Sequence, residues 1–366
     1  MKRIIKISAF ILSAAALIGL IYFALFPKSA RTDADQSQAQ VAEKQTESHL
    51  ISFRGVLADI LKDVAEEAKE LKDEIAEVIP NPFAEKKTET ESAGSGNSFS
   101  FAVLGDTQRF TAGNSRGNFQ KVVGQILKLN PDLVVAVGDL ISGCEGKSSD
   151  VTDYANWKKI LGALASKTYA VQGNHDRVSS ADKCDRIWTD AFSFPTNGPE
   201  GFAEFAYSLD LKNSHFVFLD SNKPDAHQVN DTQRAWLEQD LARNKKENVF
   251  VFFHEPAYPV SDKAEESLDA EPSQRNALWA IFEKYDVTAV FNGHEHIVSR
   301  RKVDETYQFV FGNTDSFNHG LPAAGVTEYA NQGQGRFGFV RVDGKQITVE
   351  THGSDGGILN TFTFSK

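Results

Sequence analysis

Val171-Gln172-Gly173-Asn174-His175-Asp176 closes an apolar run that begins at Thr168, and its reading decides how the rest of the chain folds. A run that ends in Gly and then presents an amide, an imidazole and a carboxylate in consecutive positions suits chemistry better than packing. Asn174 can offer its oxygen to a hard divalent cation. His175, too close in sequence to point easily at the same ion, can face a substrate, with Asp176 fixing its tautomer. Taken alone, the stretch reads equally well as a polar turn after a buried strand, with His175 capping a neighbour. The rest of the chain decides between the two.

Four other stretches share the layout: Leu104-Gly105-Asp106-Thr107-Gln108, Val137-Gly138-Asp139-Leu140, Phe253-His254-Glu255-Pro256 and Phe291-Asn292-Gly293-His294-Glu295-His296. Each is an apolar run that ends in a metal-binding residue type. Between them the pattern alternates: strands at 99–104, 132–137 and 168–171, with helices at 116–129 and 154–164, predict a parallel βαβαβ sheet. Strands at 205–209 and 215–219, a helix at 231–244, a strand at 249–253, a helix at 273–285 and a strand at 287–291 extend the pattern. From Ile297 onward the runs are mainly strand-like, including 308–311, 338–342, 347–350 and 359–364. In such sheets ligands collect at the carboxyl ends of the strands, so the five stretches converge on one crevice.

Carboxylates, imidazoles and an amide, without thiolates, suit hard to borderline divalent ions such as manganese, iron, zinc or magnesium. The donors are too many for one ion. Two ions about 3.5 to 4 Å apart, bridged by one carboxylate and one water or hydroxide, supply an in-line nucleophile and stabilise charge on a phosphoryl group. The expected chemistry is phosphoester hydrolysis.

The order D-x-[H/Q], G-D, G-N-H-D, H, G-H-x-H resembles the calcineurin-like metallophosphoesterases, and the resemblance runs from about Ser98 to Val342 with all five motifs in order. Gln233-Arg234-Ala235-Trp236-Leu237, His254-Glu255-Pro256-Ala257-Tyr258-Pro259 and Phe282-Glu283-Lys284-Tyr285-Asp286 look more like the purple-acid-phosphatase side of that superfamily. The resemblance implies an α/β fold, a βαβ sandwich of two mixed sheets flanked by helices, with a dinuclear site. It places one metal on Asp106, His296 and a bridging Asp139, with Gln108 in reach, and the second on Asp139, Asn174, His254 and His294. His175 matches the family's non-ligand histidine, which faces the substrate, and Asp176 would orient it. Two departures stand out. Gln108 replaces a histidine found in many members, and Ser142 replaces the tyrosine of purple acid phosphatases, so no purple charge-transfer colour is expected.

Arg109, beside the first motif, and His319, in Asn318-His319-Gly320, are the candidate substrate contacts, Arg109 as a bidentate partner for a phosphate oxygen pair. His227 and His352 also lie in polar or Gly-rich stretches where exposure is expected, His215 reads as structural, and Arg300 as a strand-edge charge.

The chain has 366 residues, 41% of them hydrophobic, enough for a substantial core. Its net charge of -11, with no basic block, excludes long nucleic acid as a main partner. A phosphorylated small molecule or a phosphoprotein is the expected substrate, with a nucleotide phosphohydrolase or nuclease of the same fold as one alternative and a non-catalytic anchored assembly protein with a degraded site as another. After Met1-Lys2-Arg3-Ile4-Ile5-Lys6, residues 7–26 carry no charge, about the length that spans a bilayer. Residues 1–30 therefore read as a signal anchor that keeps Met1 cytoplasmic and exports the rest to the periplasm or the extracellular side. Cleavage near Ser29-Ala30, giving a secreted protein, is the alternative. Residues 31–97 read as a tether. Within it Leu57, Leu61, Val64, Ala68, Leu71, Ile75 and Val78 form a heptad seam on a helix over 56–79, suited to self-association or to docking on its own domain. Residues 98–366 form the globular domain. Its two cysteines, Cys144 and Cys184, each follow a candidate site loop; neighbouring parallel strands would bring those loops together for pairing, the alternative being two unrelated thiols.

Overall fold

A computed structural model describes residues 98–108, 117–178, 181–321 and 325–366. The apolar N-terminal run, the tether with its 56–79 helix and Arg109 lie outside the described residues. Among the described residues no helix is long and apolar enough to cross a membrane.

The chain opens as β1 (Ser98–Leu104), α1 (Asn118–Leu129), β2 (Leu133–Ala136), α2 (Ser148–Leu161) and β3 (Thr168–Ala170). After α3 (Ala181–Ala191) come β4 (Tyr207–Leu211), β5 (Ser214–Phe218), α4 (Asp231–Arg243), β6 (Asn248–Phe252), α5 (Pro272–Lys284) and β7 (Ala289–Asn292). Strands complete it: β8 (Val298–Val303), β9 (Thr306–Phe311), β10 (Tyr329–Asn331), β11 (Arg336–Asp343), β12 (Gln346–Gly353) and β13 (Ile358–Ser365). They form two sheets, ordered β13-β12-β11-β1-β2-β3 and β10-β8-β9-β7-β6-β5-β4. Both are mixed. β1, β2 and β3 run parallel in the first and β5, β6, β7 and β9 in the second, while β11 to β13 and the outer strands β4, β8 and β10 pair antiparallel.

The alternation within β6, Asn-Val-Phe-Val-Phe, shows why the sheets stack. Successive side chains point to opposite faces of a strand. Phe250 and Phe252 join Phe101, Phe216 and Phe291 in an aromatic cluster drawn from both sheets, with Phe101 and Phe250 ring centroids 5.1 Å apart. Val249 and Val251 face the other way and pack with Leu237 and Leu241 of α4 and Leu278 and Phe282 of α5. Phe252→Ala would open a cavity between the sheets and cost about 3 to 5 kcal/mol. Asn230 starts α4 by accepting a hydrogen bond from the Gln233 N–H at 3.1 Å, and Pro272 opens α5, where a missing N–H costs nothing.

Several elements depart from the sequence reading. α2 begins at Ser148 and passes into a 3-10 turn, Gly162–Lys167. α3 was not anticipated, because only Cys184 and Trp188 of its largely polar sequence are buried. β8 falls in the strand-like tail expected from Ile297 onward, though its bounds do not stand out among the charges of Arg300, Arg301 and Lys302. Cys184 on α3 is disulfide-bonded to Cys144, Cα to Cα 5.9 Å, so the paired alternative holds. His215 is structural, held between Asp210 at 2.7 Å and Asp240 at 2.8 Å. His352 is buried in β12 and stacked on Phe337, against the expectation of exposure.

Candidate metal centre

Asp106, Asp139, Asn174, His254, His294 and His296 all lie just beyond the carboxyl ends of β1, β2, β3, β6 and β7, where parallel strands stop pairing and the chain turns. The turns are tight. Asp106, Asp139, His294 and His296 take φ values of 57°, 55°, 68° and 49°, a left-handed conformation unfavourable for side-chain-bearing residues and tolerated where the surroundings impose it. Two glycines let the backbone approach the carboxylates: a Cβ on Gly173 would lie 2.2 Å from Asp139 Oδ1, and one on Gly293 2.5 Å from Asp106 Oδ2.

The seven expected ligand residues come together in two groups that share Asp139. On one side, Gln108 Nε2 is 3.1 Å from Asp139 Oδ2 and 2.9 Å from His296 Nε2, which is 3.2 Å from Asp106 Oδ1. On the other, His254 Nε2 is 3.3 Å from Asp139 Oδ1 and 3.0 Å from Asn174 Oδ1, which is 3.0 Å from His294 Nδ1. One donor atom each from Asp106, Asp139 and His254 fall within 4.8 Å of one another. The outer nitrogens of two imidazoles are fixed by backbone carbonyls: His254 Nδ1 lies 2.7 Å from Val137 O, and His294 Nε2 2.8 Å from Glu266 O. Since a carbonyl only accepts, those outer nitrogens carry hydrogens, and His254 Nε2 and His294 Nδ1 are the ring atoms turned into the cluster, where each could ligate a cation in place of its own proton.

The electrostatics call for positive charge. Burial pushes Asp106 up, and the neighbouring His296 and His254 only partly offset it. For Asp139 burial acts the same way, yet the His254 charge and hydrogen bond win and hold it below the usual carboxylate range. Burial would lower His254, but the Asp139 carboxylate outweighs it and raises the ring to about 10, while His294, buried beside His254, is pushed well down. Two buried carboxylates thus lean on one imidazolium. The donor set fits a pair of cations, and an orphaned atom supports the fit: Gln108 Oε1 is buried without a partner. Rotating this amide by half a turn exchanges its oxygen and nitrogen and brings Oε1 into the cluster, where a cation would want an acceptor.

His175 lies beside this cluster, its N–H donating to Asp139 Oδ1 at 2.9 Å. The role expected of Asp176 needs correction. Its carboxylate accepts from the Leu140 N–H at 3.2 Å, the Gly173 N–H at 2.9 Å and the Tyr154 hydroxyl at 3.0 Å, so it staples the β2 and β3 turns together and does not hold the His175 ring. Burial and the nearby Asp139 charge raise Asp176 to about 7. The ring is held instead by Ser142 O, 2.9 Å from Nδ1. A backbone carbonyl leaves no side-chain signature in sequence. His319 does reach the site: its ring centroid is 4.6 Å from that of His296, and its Nδ1 is 2.9 Å from Asp262. Glu295, between two expected ligands, was missed as a support; its buried carboxylate accepts from the Val260 and Ser261 N–H groups at 2.6 and 2.5 Å and pins the loop after His254. A carboxylate between two histidines, G-H-E-H, was the available signal. His227 is half-buried and pairs with buried Glu255 at 2.8 Å.

The family model for calcineurin-like phosphoesterases matches residues 99–298, more than half of the chain and all five motifs. The chain belongs to the calcineurin-like phosphoesterase family. Among curated relatives, this phosphoesterase is 27% identical to the glycerophosphodiester phosphodiesterase GpdQ of Enterobacter lignolyticus over 48% of the chain, a match spanning only 60% of GpdQ. It is 26% identical to a 3',5'-cyclic-nucleotide phosphodiesterase of Nostoc over 55% of the chain and 70% of that protein. The purple acid phosphatase PPD1 of yellow lupin superposes with a TM-score of 0.62 at 19% identity, covering 73% of the chain and 54% of the lupin protein, a likeness of fold.

Proposed function

We propose that this phosphoesterase is a two-metal hydrolase of phosphoesters, with phosphodiesters as the favoured class. The observation that carries the reading is Asp139, whose two carboxylate oxygens each face a different half of the donor set. Asp106, Gln108, His296 and Asp139 would hold one divalent ion, and Asp139, Asn174, His254 and His294 the other. When bound, such a pair lowers the pKa of a water to make it a nucleophile and neutralises phosphoryl charge. The chain's own groups then set geometry and proton movement. Val137 O and Glu266 O keep two imidazoles facing inward; Ser142 O fixes the hydrogen of His175 on Nδ1, so Nε2 is the ring atom available to the phosphoryl oxygen or the leaving group. His319 and Arg109 would meet the substrate outside this set. The diester preference follows the named activities of GpdQ and the Nostoc enzyme.

The test is a metal-stripped preparation titrated with manganese, read both as metal bound per chain and as hydrolysis of bis(p-nitrophenyl) phosphate against p-nitrophenyl phosphate. Two equivalents bound with diester turnover supports the reading. Two equivalents with neither substrate cleaved would leave a phosphoesterase fold serving assembly. We further propose that residues 1–30 anchor the chain with its domain exported, a reading the Cys144–Cys184 disulfide suits. The full chain should resist an alkaline carbonate wash; release of a product about 30 residues shorter would favour cleavage.

A further inference from the structure

The segment between β2 and α2 does more than connect them. Its start is tied by the Leu140 N–H to Asp176, and Leu140 O accepts from the Thr107 hydroxyl at 2.9 Å. Its end is tied by the Asp150 carboxylate, which accepts from the Glu145 N–H at 3.0 Å and the Lys147 N–H at 2.8 Å. Between these ends, Ser142 O holds the His175 ring and the Cys144 N–H donates to His175 O at 2.8 Å. Two residues after Ser142, Cys144 is bonded covalently to Cys184, buried on α3, and α3 is itself held by Trp188 packed edge-on against Tyr154 at 5.8 Å. His175 is thus gripped twice, at the ring by Ser142 and at the main chain by Cys144, two residues apart, the second pinned by the disulfide.

We propose that the Cys144–Cys184 disulfide is a positioning element for His175, holding the Ser142 carbonyl where it fixes the ring's direction and tautomer. The inference rests on the proposed role of His175 at the phosphoryl group. Neither cysteine belongs to the seven-residue donor set, so breaking the bond should alter the ring's aim and leave the metals in place. A misplacement of about 1 Å in a reacting group costs up to about 10²-fold in rate, so the expected loss in kcat is about tenfold to hundredfold.

The experiment uses the holoenzyme in four forms: wild type, C144A/C184A, His175→Ala and the combined triple variant, each assayed for metal content, KM and kcat on bis(p-nitrophenyl) phosphate. In the wild-type background, breaking the disulfide should lower kcat with KM and both metals unchanged. In the His175→Ala background it should change kcat by less than about twofold, because a group that acts through His175 has nothing left to act on. An equal fractional loss in both backgrounds, a loss of metal, or an unchanged kcat in C144A/C184A overturns the proposal. If His175→Ala itself leaves kcat intact, the reading of His175 fails instead. Should C144A/C184A not fold, reduction of the folded holoenzyme with a phosphine, counted by thiol alkylation, provides the same comparison against reduced His175→Ala.

Discussion

His254 and His294, on one side of Asp139, have both ring nitrogens engaged, one toward the cluster and one on a backbone carbonyl. His296, on the other side, has its buried Nδ1 without a partner, and Gln108 beside it has a buried amide oxygen without one. The two half-sites share a carboxylate and differ in preparation. An imidazole already held by a carbonyl loses little freedom when an ion binds, whereas ordering a loose side chain costs roughly 0.5 to 1.5 kcal/mol. An amide oxygen is also a weaker donor than imidazole for first-row ions. The Asn174 half should bind tightly and the Gln108 half should exchange.

The largest effect should come from the residue common to both halves. Asp139→Asn should reduce hydrolysis about 10³-fold or to background and loosen both ions together, since a neutral amide cannot balance two cations. Undiminished turnover in that variant would dissolve the idea of a shared bridge. His175→Ala belongs to neither half: turnover should fall about 10² to 10⁴-fold while two equivalents of metal stay bound. Loss of an ion in that variant would place His175 among the ligands. A smaller effect separates the halves themselves. In a chelator titration of the wild type, activity should disappear while one equivalent remains, the two midpoints differing by about tenfold or more, or about 1.4 kcal/mol. Coincident loss of both ions would erase the asymmetry.

How far this was legible beforehand depended on whether side chains or backbone carry the feature. Asp106, Asp139, Asn174, His254, His294 and His296 could be picked out because each follows an apolar strand, and strand ends converge in a parallel sheet. The aromatic alternation of β6 likewise announces a strand buried on both faces. What stayed hidden is supplied by main-chain atoms: Val137 O, Glu266 O and Ser142 O orient three imidazoles, and any residue provides a carbonyl. The expected Asp176–His175 pairing failed for a related reason. Adjacent residues in the short 3-10 turn His175–Arg177 point in different directions, and Asp176 faces the Leu140 and Gly173 N–H groups. α3 escaped because its burial rests on two side chains.

The finest discrimination rests on Gln108. Its terminal amide lies against Asp139 and His296, and the far nitrogen of a histidine ring at this position would stand about as far from the backbone as the amide's terminal atoms do. Gln108→His should therefore place a stronger donor in the weaker half without displacing its neighbours. Tighter binding of the exchanging ion by roughly threefold to tenfold is expected, with the chelator midpoint for activity moving up by that factor and the midpoint for the retained ion unmoved. Metal content and turnover measured across the same titration, variant beside wild type, check both halves at once. If both midpoints move, the halves are coupled through Asp139 and cannot be treated as separate sites. If neither moves, the buried amide oxygen of Gln108 is not what weakens its half, and the unpartnered Nδ1 of His296, which leaves that ring without an outer anchor, becomes the feature that does.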